Sequence, residues 1–180
     1  MILSMVLGSI YANYINLNII KRLDVLFLSD FDNRNTQNII YTFVSSFSSH
    51  FLFWIAMIFL STSFLGTIMV PLILIFRGVG LGLTAGYLYL IYSFKGVAFY
   101  ILVLLPGIFI SSACFIFMLI NSEKFSLKVA KKFLPHSNQE SLWEDMVVYI
   151  KKSGIILFVL SISSLIDMVF MQLFSNLFIF

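Results

Sequence analysis

The stretch from Phe51 to Phe94 contains 44 residues and a single formally charged side chain, Arg77. A helix rises about 1.5 Å per residue, so this stretch would reach about 66 Å as one helix, against roughly 30 Å of hydrocarbon in a bilayer. Because lipid cannot hydrogen-bond to the backbone, each crossing must be helical. The stretch therefore predicts two membrane-spanning helices with a turn between them.

Composition also indicates a membrane protein. The chain is 61% hydrophobic and 11% charged, whereas soluble domains carry about 25% charged residues. Its 180 residues fit one domain, so we treat 1–180 as a single integral membrane domain. The net charge of +3 is small, and basic residues are not interleaved with aromatic ones, which excludes nucleic acid as a partner.

Five apolar segments are candidate membrane crossings. They are Met1–Ile20, Phe51 to a turn at 64–70, Pro71–Tyr92, Val97–Ile120, and a segment from Ser153 towards Phe180. A cleaved signal peptide is the competing interpretation of the first segment, which lacks both a basic region and a small-residue cleavage site. The pattern predicts an all-α, polytopic membrane protein with about five transmembrane helices.

Charge asymmetry predicts the orientation. Residues 21–50 have a formal charge of zero, whereas 121–152 carry six of the eleven basic residues. By the positive-inside rule, 121–152 is predicted to be a cytoplasmic loop and 21–50 an external segment. Pro135 and His136 are expected to divide the loop into two short helices, with Ser141 capping the second.

Prolines and glycines mark the expected irregularities. Pro71 is predicted in the first turn of the third helix, where its missing N–H is harmless. Ser93 to Gly96 is predicted to form a tight connection between the third and fourth crossings. Pro106 and Gly107 fall in the middle of the fourth crossing, where they should kink or break the helix and free backbone carbonyls.

Gly78, Gly82 and Gly86 lie four residues apart and share one helix face. This doubled G-x-x-x-G pattern lets a neighbouring helix approach closely. The neighbour is either another helix of this chain or a helix of a partner protein. The letters Gly80-x-Gly82-x-x-Ala85 also match a dinucleotide fingerprint, but the surrounding βαβ pattern is missing.

Arg77 and Asp167 are the ionisable residues inside predicted crossings. Such groups are costly in a membrane and face a polar interior or each other, unless each extends to its own interface. Their predicted depths differ by about 10 Å. His50 and His136 are expected at the membrane edge or in a loop, on opposite sides, so no Ser-His-Asp or Cys-His set can be assembled on one side. We expect no enzyme, catalytic residue, cofactor or metal site.

Several of these residues together resemble the stage II sporulation protein M family. The matching positions are Gly66 and Pro71, the run Arg77, Gly78, Gly82, Thr84, Gly86 and Tyr87, then Pro106, and finally Ser161–Asp167. The resemblance covers about residues 45–175. Two features depart from it: Gly107–Ile110 stands where many members have His-Gly and a Glu, and no basic stretch precedes the first crossing.

The resemblance implies a multi-pass protein of the bacterial cell membrane with one of two roles. Sporulation members anchor a peptidoglycan-degrading engulfment complex, with peptidoglycan hydrolases as partners. Short paralogues accompany ATP-binding transporter subunits in circular-bacteriocin clusters, where they serve export, maturation or self-immunity. The missing basic stretch favours the second role. A third hypothesis, an intramembrane transporter or enzyme, would use Arg77 and Asp167 beside a helix broken at Pro106.

Overall fold

The computed structural model describes residues 1–12, 14, 39–63, 65–132 and 142–174, and all regular structure in these ranges is helical. The helices are α1 (Ile2–Ala12), α2 (Ile39–Ser61), α3 (Gly66–Phe99), a π-helical turn (Tyr100–Leu104), α4 (Leu105–Lys132) and α5 (Leu142–Phe174). The all-α class is confirmed. The predicted break at Pro135 and His136 and the predicted cap at Ser141 lie outside the described residues.

Three stretches are long and apolar enough to cross a membrane: Thr42–Ser61, Gly66–Lys131 and Trp143–Phe174. Residues 2–12 form a shorter apolar helix. The second stretch has 66 residues, which would reach about 99 Å if it were straight. It is not straight, because the chain reverses direction within it.

Ser93 makes this reversal. Its φ of 51° and ψ of −130° are non-helical, and they interrupt α3 between two helical arms. Beyond it, the Tyr100 hydroxyl donates to the carbonyl of Leu81 at 3.4 Å, and Gly96 lies against the Leu88 carbonyl. Such contacts require antiparallel arms. The tight connection predicted at 93–96 is confirmed.

The turn between α2 and α3 is shorter than predicted and lies earlier. It occupies the residues between Ser61 and Gly66 rather than 64–70. The N-cap residue of α3, Leu65, makes no side-chain hydrogen bond to the helix. Ser126 of α4 caps α3 instead: its Oγ accepts from the Thr67 N–H at 3.1 Å and donates to the Ser63 carbonyl at 2.8 Å. Pro71 consequently lies in the second turn of α3, so its predicted first-turn position is wrong.

The long helices alternate in direction along the chain. Trp54 of α2 donates to the Ser153 carbonyl of α5 at 3.0 Å, and Ser163 of α5 donates to the Gly107 carbonyl of α4 at 2.9 Å. At the far end of the same α4–α5 pair, Lys128 forms an ion pair with Asp145. From one contact to the other, the residue number rises from 107 to 128 on α4 and falls from 163 to 145 on α5, so the two helices are antiparallel.

Two predicted segment boundaries need correction. Helix α4 continues to Lys132 and α5 begins at Leu142, so residues 121–132 and 142–152 extend the long helices instead of forming separate short ones. Helix α2 begins at Ile39, so the last twelve residues of the predicted external segment 21–50 are helical. Four polar side chains of this part, Thr42, Ser46, Ser49 and His50, are buried, which favours a helix that continues through His50.

Helix α1 packs on the glycine face of α3. A Cβ added at Gly78 would overlap Ser4, and one added at Gly82 would overlap the Met5 backbone. A Cβ at Gly86 would come within 2.5 Å of the Ala12 Cβ. The glycine spacing thus serves close packing between helices of this chain, with the two running parallel.

Apolar packing fills the space between the helices in two clusters. One surrounds Leu81, Leu88 and Phe99, and the other surrounds Met57 and Phe115. Between them lies a group of buried polar residues, which forms the candidate site below.

Ser93 should tolerate glycine and reject β-branched residues, because only glycine adopts its φ and ψ without strain. We expect Ser93→Val to lower the free energy of unfolding by about 1–3 kcal/mol. Ser93→Gly should leave it unchanged or raise it by up to about 1 kcal/mol. Denaturant unfolding of the purified protein in detergent measures both. Equal stability of the valine variant and the wild type would contradict the reversal at Ser93.

Gly82→Leu should destabilise the protein by about 1–3 kcal/mol, because the new side chain would overlap the α1 backbone. Gly154 offers a matched control, since no heavy atom lies within 4 Å of a Cβ added there. Gly154→Leu should therefore unfold at the same denaturant concentration as the wild type. If the two leucine variants are equally stable, α1 does not pack against Gly82.

Candidate functional site

Arg77 lies inside the helix bundle and does not extend to an interface. Its side chain is 2% exposed. The guanidinium carbon lies 4.2 Å from the centre of the Phe115 ring and 5.2 Å from that of Phe53. Aromatic faces attract a desolvated cation, with a contribution of about 2 kcal/mol or more. Two aromatic rings from α2 and α4 thus enclose this charge.

Polar groups on the same two helices complete its surroundings. The Arg77 Nη2 atom donates to the Ser111 Oγ at 3.1 Å and lies 3.4 Å from the His50 Nδ1. Arginine is permanently protonated and has no acceptor, so the neutral imidazole accepts through Nδ1 and carries its proton on Nε2. Arg77 thereby fixes the tautomer of His50.

His50 was expected at the membrane edge, but it is buried in the bundle with 4% exposure. Its ring meets Phe115 edge-on, with centroids 6.3 Å apart. The sequence does contain a signal for this placement: Thr42, Ser46, Ser49 and His50 are spaced i, i+4, i+7 and i+8, and all four are buried. That spacing is one face of a helix, which indicates a polar stripe directed at the bundle interior.

Pro106 is accommodated by a widened turn and does not break the helix. The residues before it, Tyr100–Leu104, form the π-helical turn, and the Leu105 N–H bonds to the Tyr100 carbonyl. A π turn pairs residues five apart, and single π turns occur inside α-helices, frequently at functional sites. Helix α4 then continues without a gap through Gly107, so the prediction of an irregularity here is confirmed as a π turn.

Gly107 makes room for Asp167. A Cβ added to Gly107 would overlap the Asp167 carboxylate, and the Gly107 carbonyl accepts from Ser163, one helical turn before Asp167. Asp167 is 5% exposed. The Pro106-Gly107 pair therefore creates the depression in α4 in which the α5 carboxylate lies.

Arg77 and Asp167 belong to one buried charged cluster. Asp167 contacts Gly107, and Arg77 contacts Ser111, one turn further along α4. Their levels on α4 therefore differ by about 6 Å, less than the 10 Å expected from the sequence. Both side chains are buried and carry opposite charges, so they attract each other. We call His50, Arg77, Ser111 and Asp167 the buried charged cluster; each comes from a different long helix.

This cluster is arranged to hold helices together. The Ser111 hydroxyl donates to the Ile108 carbonyl at 3.1 Å, so its proton is directed at the backbone and not at a catalytic base. Within the described ranges, no group of three or more His, Cys, Asp or Glu side chains could hold a metal ion. Gly78, the first residue of the glycine face, directly follows Arg77, so α1 packs beside the same region of α3.

Comparison of the chain with models of protein families, with curated proteins and with solved structures gave no match.

Arg77→Leu and Asp167→Leu should each destabilise the protein by about 3–5 kcal/mol, because each leaves an uncompensated buried charge. The double variant should lose less than the sum, with a coupling energy of about 1–3 kcal/mol. The coupling energy is measured by denaturant unfolding, in detergent, of the wild type, the two single variants and the double variant. Lys128 and Asp145, whose side chains are 51% and 29% exposed, provide a control cycle with expected coupling below about 1 kcal/mol. Additive effects at Arg77 and Asp167 would show that the charges do not interact.

Proposed function

We propose that this chain is a non-enzymatic subunit of a bacterial envelope complex that crosses the cell membrane five times. Its favoured role is in ATP-driven export, maturation or self-immunity of a membrane-active peptide of the circular-bacteriocin type. Its partners are the lipid bilayer and an ATP-binding transporter subunit. The role itself derives from the resemblance to the stage II sporulation protein M family.

One observation carries the non-enzymatic part of the proposal. The residues that carry the resemblance meet as packing residues: the glycines at 78, 82 and 86 receive α1, while Arg77 and Asp167 lie among aromatic, serine and glycine groups of the bundle. Because these residues take part in close helix contacts, a scaffolding role is favoured over a catalytic one.

The helix directions support five crossings. Helix α1 is parallel to α3, and α2 is antiparallel to α3, since Gly66 contacts Leu60 and Arg77 contacts His50. With the arm after Ser93, the π turn and α4 counted as one helix, successive helices alternate in direction, as successive crossings must. The described part of α1 reaches about 17 Å, against roughly 30 Å of hydrocarbon.

The exposed surface supports a role inside a lipid-embedded assembly. The outer face of α1 is apolar, with Leu3 81% and Leu7 64% exposed. On the opposite face, Ser4, Gly8 and Ala12 are buried against α3. An apolar surface of this kind is suited to lipid or to helices of another membrane subunit.

The buried charged cluster favours a second candidate, an intramembrane transporter. Ionisable residues in membrane helices commonly mark ion pathways, and a π turn adjoins the cluster. Liposomes containing the purified chain test this candidate: proton or solute flux that disappears in Asp167→Asn would support it and would contradict a purely structural role.

Deletion of the gene in its own bacterium tests the favoured role. We expect the deletion strain to export less of the co-encoded peptide and to be killed at a lower peptide concentration. Gly154→Leu should restore both properties and Gly82→Leu should not, since only the second disturbs helix packing. The ATP-binding subunit should co-purify with the restoring variant. Unchanged export and tolerance together with delayed engulfment would instead support the peptidoglycan-hydrolase anchor.

A further inference from the structure

A cleft of about 150 Å³ lies between α4 and α5 at their charged end. Two stripes with identical spacing line it. Asn121, Lys124, Phe125 and Lys128 come from α4, and Asp145, Val148, Tyr149 and Lys152 come from α5. Each stripe has the spacing i, i+3, i+4, i+7, which places its residues on one helix face.

The floor of the cleft is apolar and firmly held. The rings of Phe125 and Tyr149 stack with centroids 4.9 Å apart and an interplanar angle of 5°. The Tyr149 hydroxyl lies 2.9 Å from the Ser61 Oγ on α2 and 2.9 Å from the Ser122 Oγ on α4. Three helices therefore fix the floor, so the cleft is preformed.

The rim is positively charged. Lys128 forms an ion pair with Asp145 at the end of the cleft. Lys124 and Lys152 are exposed and make no ion pair within the described part of the chain. The cleft thus presents three ammonium groups and one carboxylate, together with the Asn121 amide, to whatever occupies it.

Helix length places this rim at the level of lipid headgroups. The segment from Ser153 to Phe174 would reach about 33 Å, close to the roughly 30 Å hydrocarbon thickness. Lys152 and the residues before it then lie outside the hydrocarbon. Trp143, at the start of α5, is 69% exposed, and tryptophan is enriched at the membrane–water interface.

We propose that the cleft binds the headgroup of an anionic phospholipid. The phosphate oxygens accept from Lys124 and Lys152, and the first acyl carbons cover the Phe125 and Tyr149 floor. The Asn121 Nδ2 gives one N–H to the Phe117 carbonyl at 2.8 Å and donates the other to the glycerol portion. Basic pockets between membrane helices bind anionic headgroups by the same combination of charge and location. The site is independent of the peptide-export role proposed above.

The test compares two lysine pairs of equal charge. The full chain and its variants are reconstituted in nanodiscs of equimolar phosphatidylglycerol and phosphatidylcholine, and retained lipids are counted by native mass spectrometry. We expect K124Q/K152Q to lower the preference for phosphatidylglycerol about tenfold or more. K131Q/K151Q is the matched control, because these two exposed lysines do not line the cleft, and it should keep the preference.

A change at Asp145 should alter the preference for phosphatidylglycerol in the opposite direction. Asp145→Asn removes the one carboxylate of the cleft and releases Lys128, so it should raise the preference for phosphatidylglycerol about fivefold. Helix content should match the wild type in all variants. The unfolding midpoint should match in the lysine variants, whose side chains are exposed, and should shift little in Asp145→Asn, because a partly exposed ion pair contributes less than about 1 kcal/mol.

Four results would overturn the proposal. Equal losses in both lysine pairs would indicate diffuse surface charge, and no loss in either would indicate that no site exists. Competition by inorganic phosphate as strong as that by phosphatidylglycerol would indicate a free-anion site. Unchanged lipid counts in K124Q/K152Q with loss of a protein that co-purifies with the wild type would indicate an acidic protein segment as the occupant.

Discussion

The burial of Arg77 is the constraint on which the rest of the bundle depends. A guanidinium cannot lose its charge, and an isolated charge in an apolar interior is prohibitively costly. The chain meets this cost with groups from every other long helix: the His50 imidazole, the Phe115 ring, the Ser111 hydroxyl and the attraction of Asp167. Removing any one helix would leave the charge partly unpaired, so the cluster specifies which helices must be neighbours.

Glycine provides the room that this arrangement needs. Gly107 leaves the depression that holds the Asp167 carboxylate, and the preceding π turn absorbs the geometry of Pro106. On the other side of α3, Gly82 lets the α1 backbone approach to contact distance. In a membrane, where lipid is as apolar as the helices, such close van der Waals packing and internal polar contacts drive association. The buried charges and the glycines therefore act together to set how the helices pack.

The sequence predicts the parts of this design that depend on local patterns. The run from Phe51 to Phe94, in which Arg77 is the single formal charge, predicts two helices joined by a turn. Ser93 and Gly96 predict the tight connection at the reversal, and Pro106 predicts an irregularity in the fourth crossing. Long-range effects were not predictable. The α2–α3 turn is displaced because Ser126 of α4 caps it, and α4 extends to Lys132 because α5 provides a packing surface for its polar end. The position of His50 beside an apolar run predicts a membrane edge, whereas the spacing of Thr42, Ser46, Ser49 and His50 indicates the interior position that the structure shows.

The contact between Arg77 and Phe115 allows the most direct measurement. Progressive fluorination of the Phe115 ring withdraws electron density from its face with little change in volume. We expect the free energy of unfolding to fall with each added fluorine, by about 1–2 kcal/mol across the series, because the cation–π attraction weakens. The same series at Phe109, which is 73% exposed, should leave stability unchanged. A flat series at Phe115 would contradict the claim that this ring stabilises the buried charge.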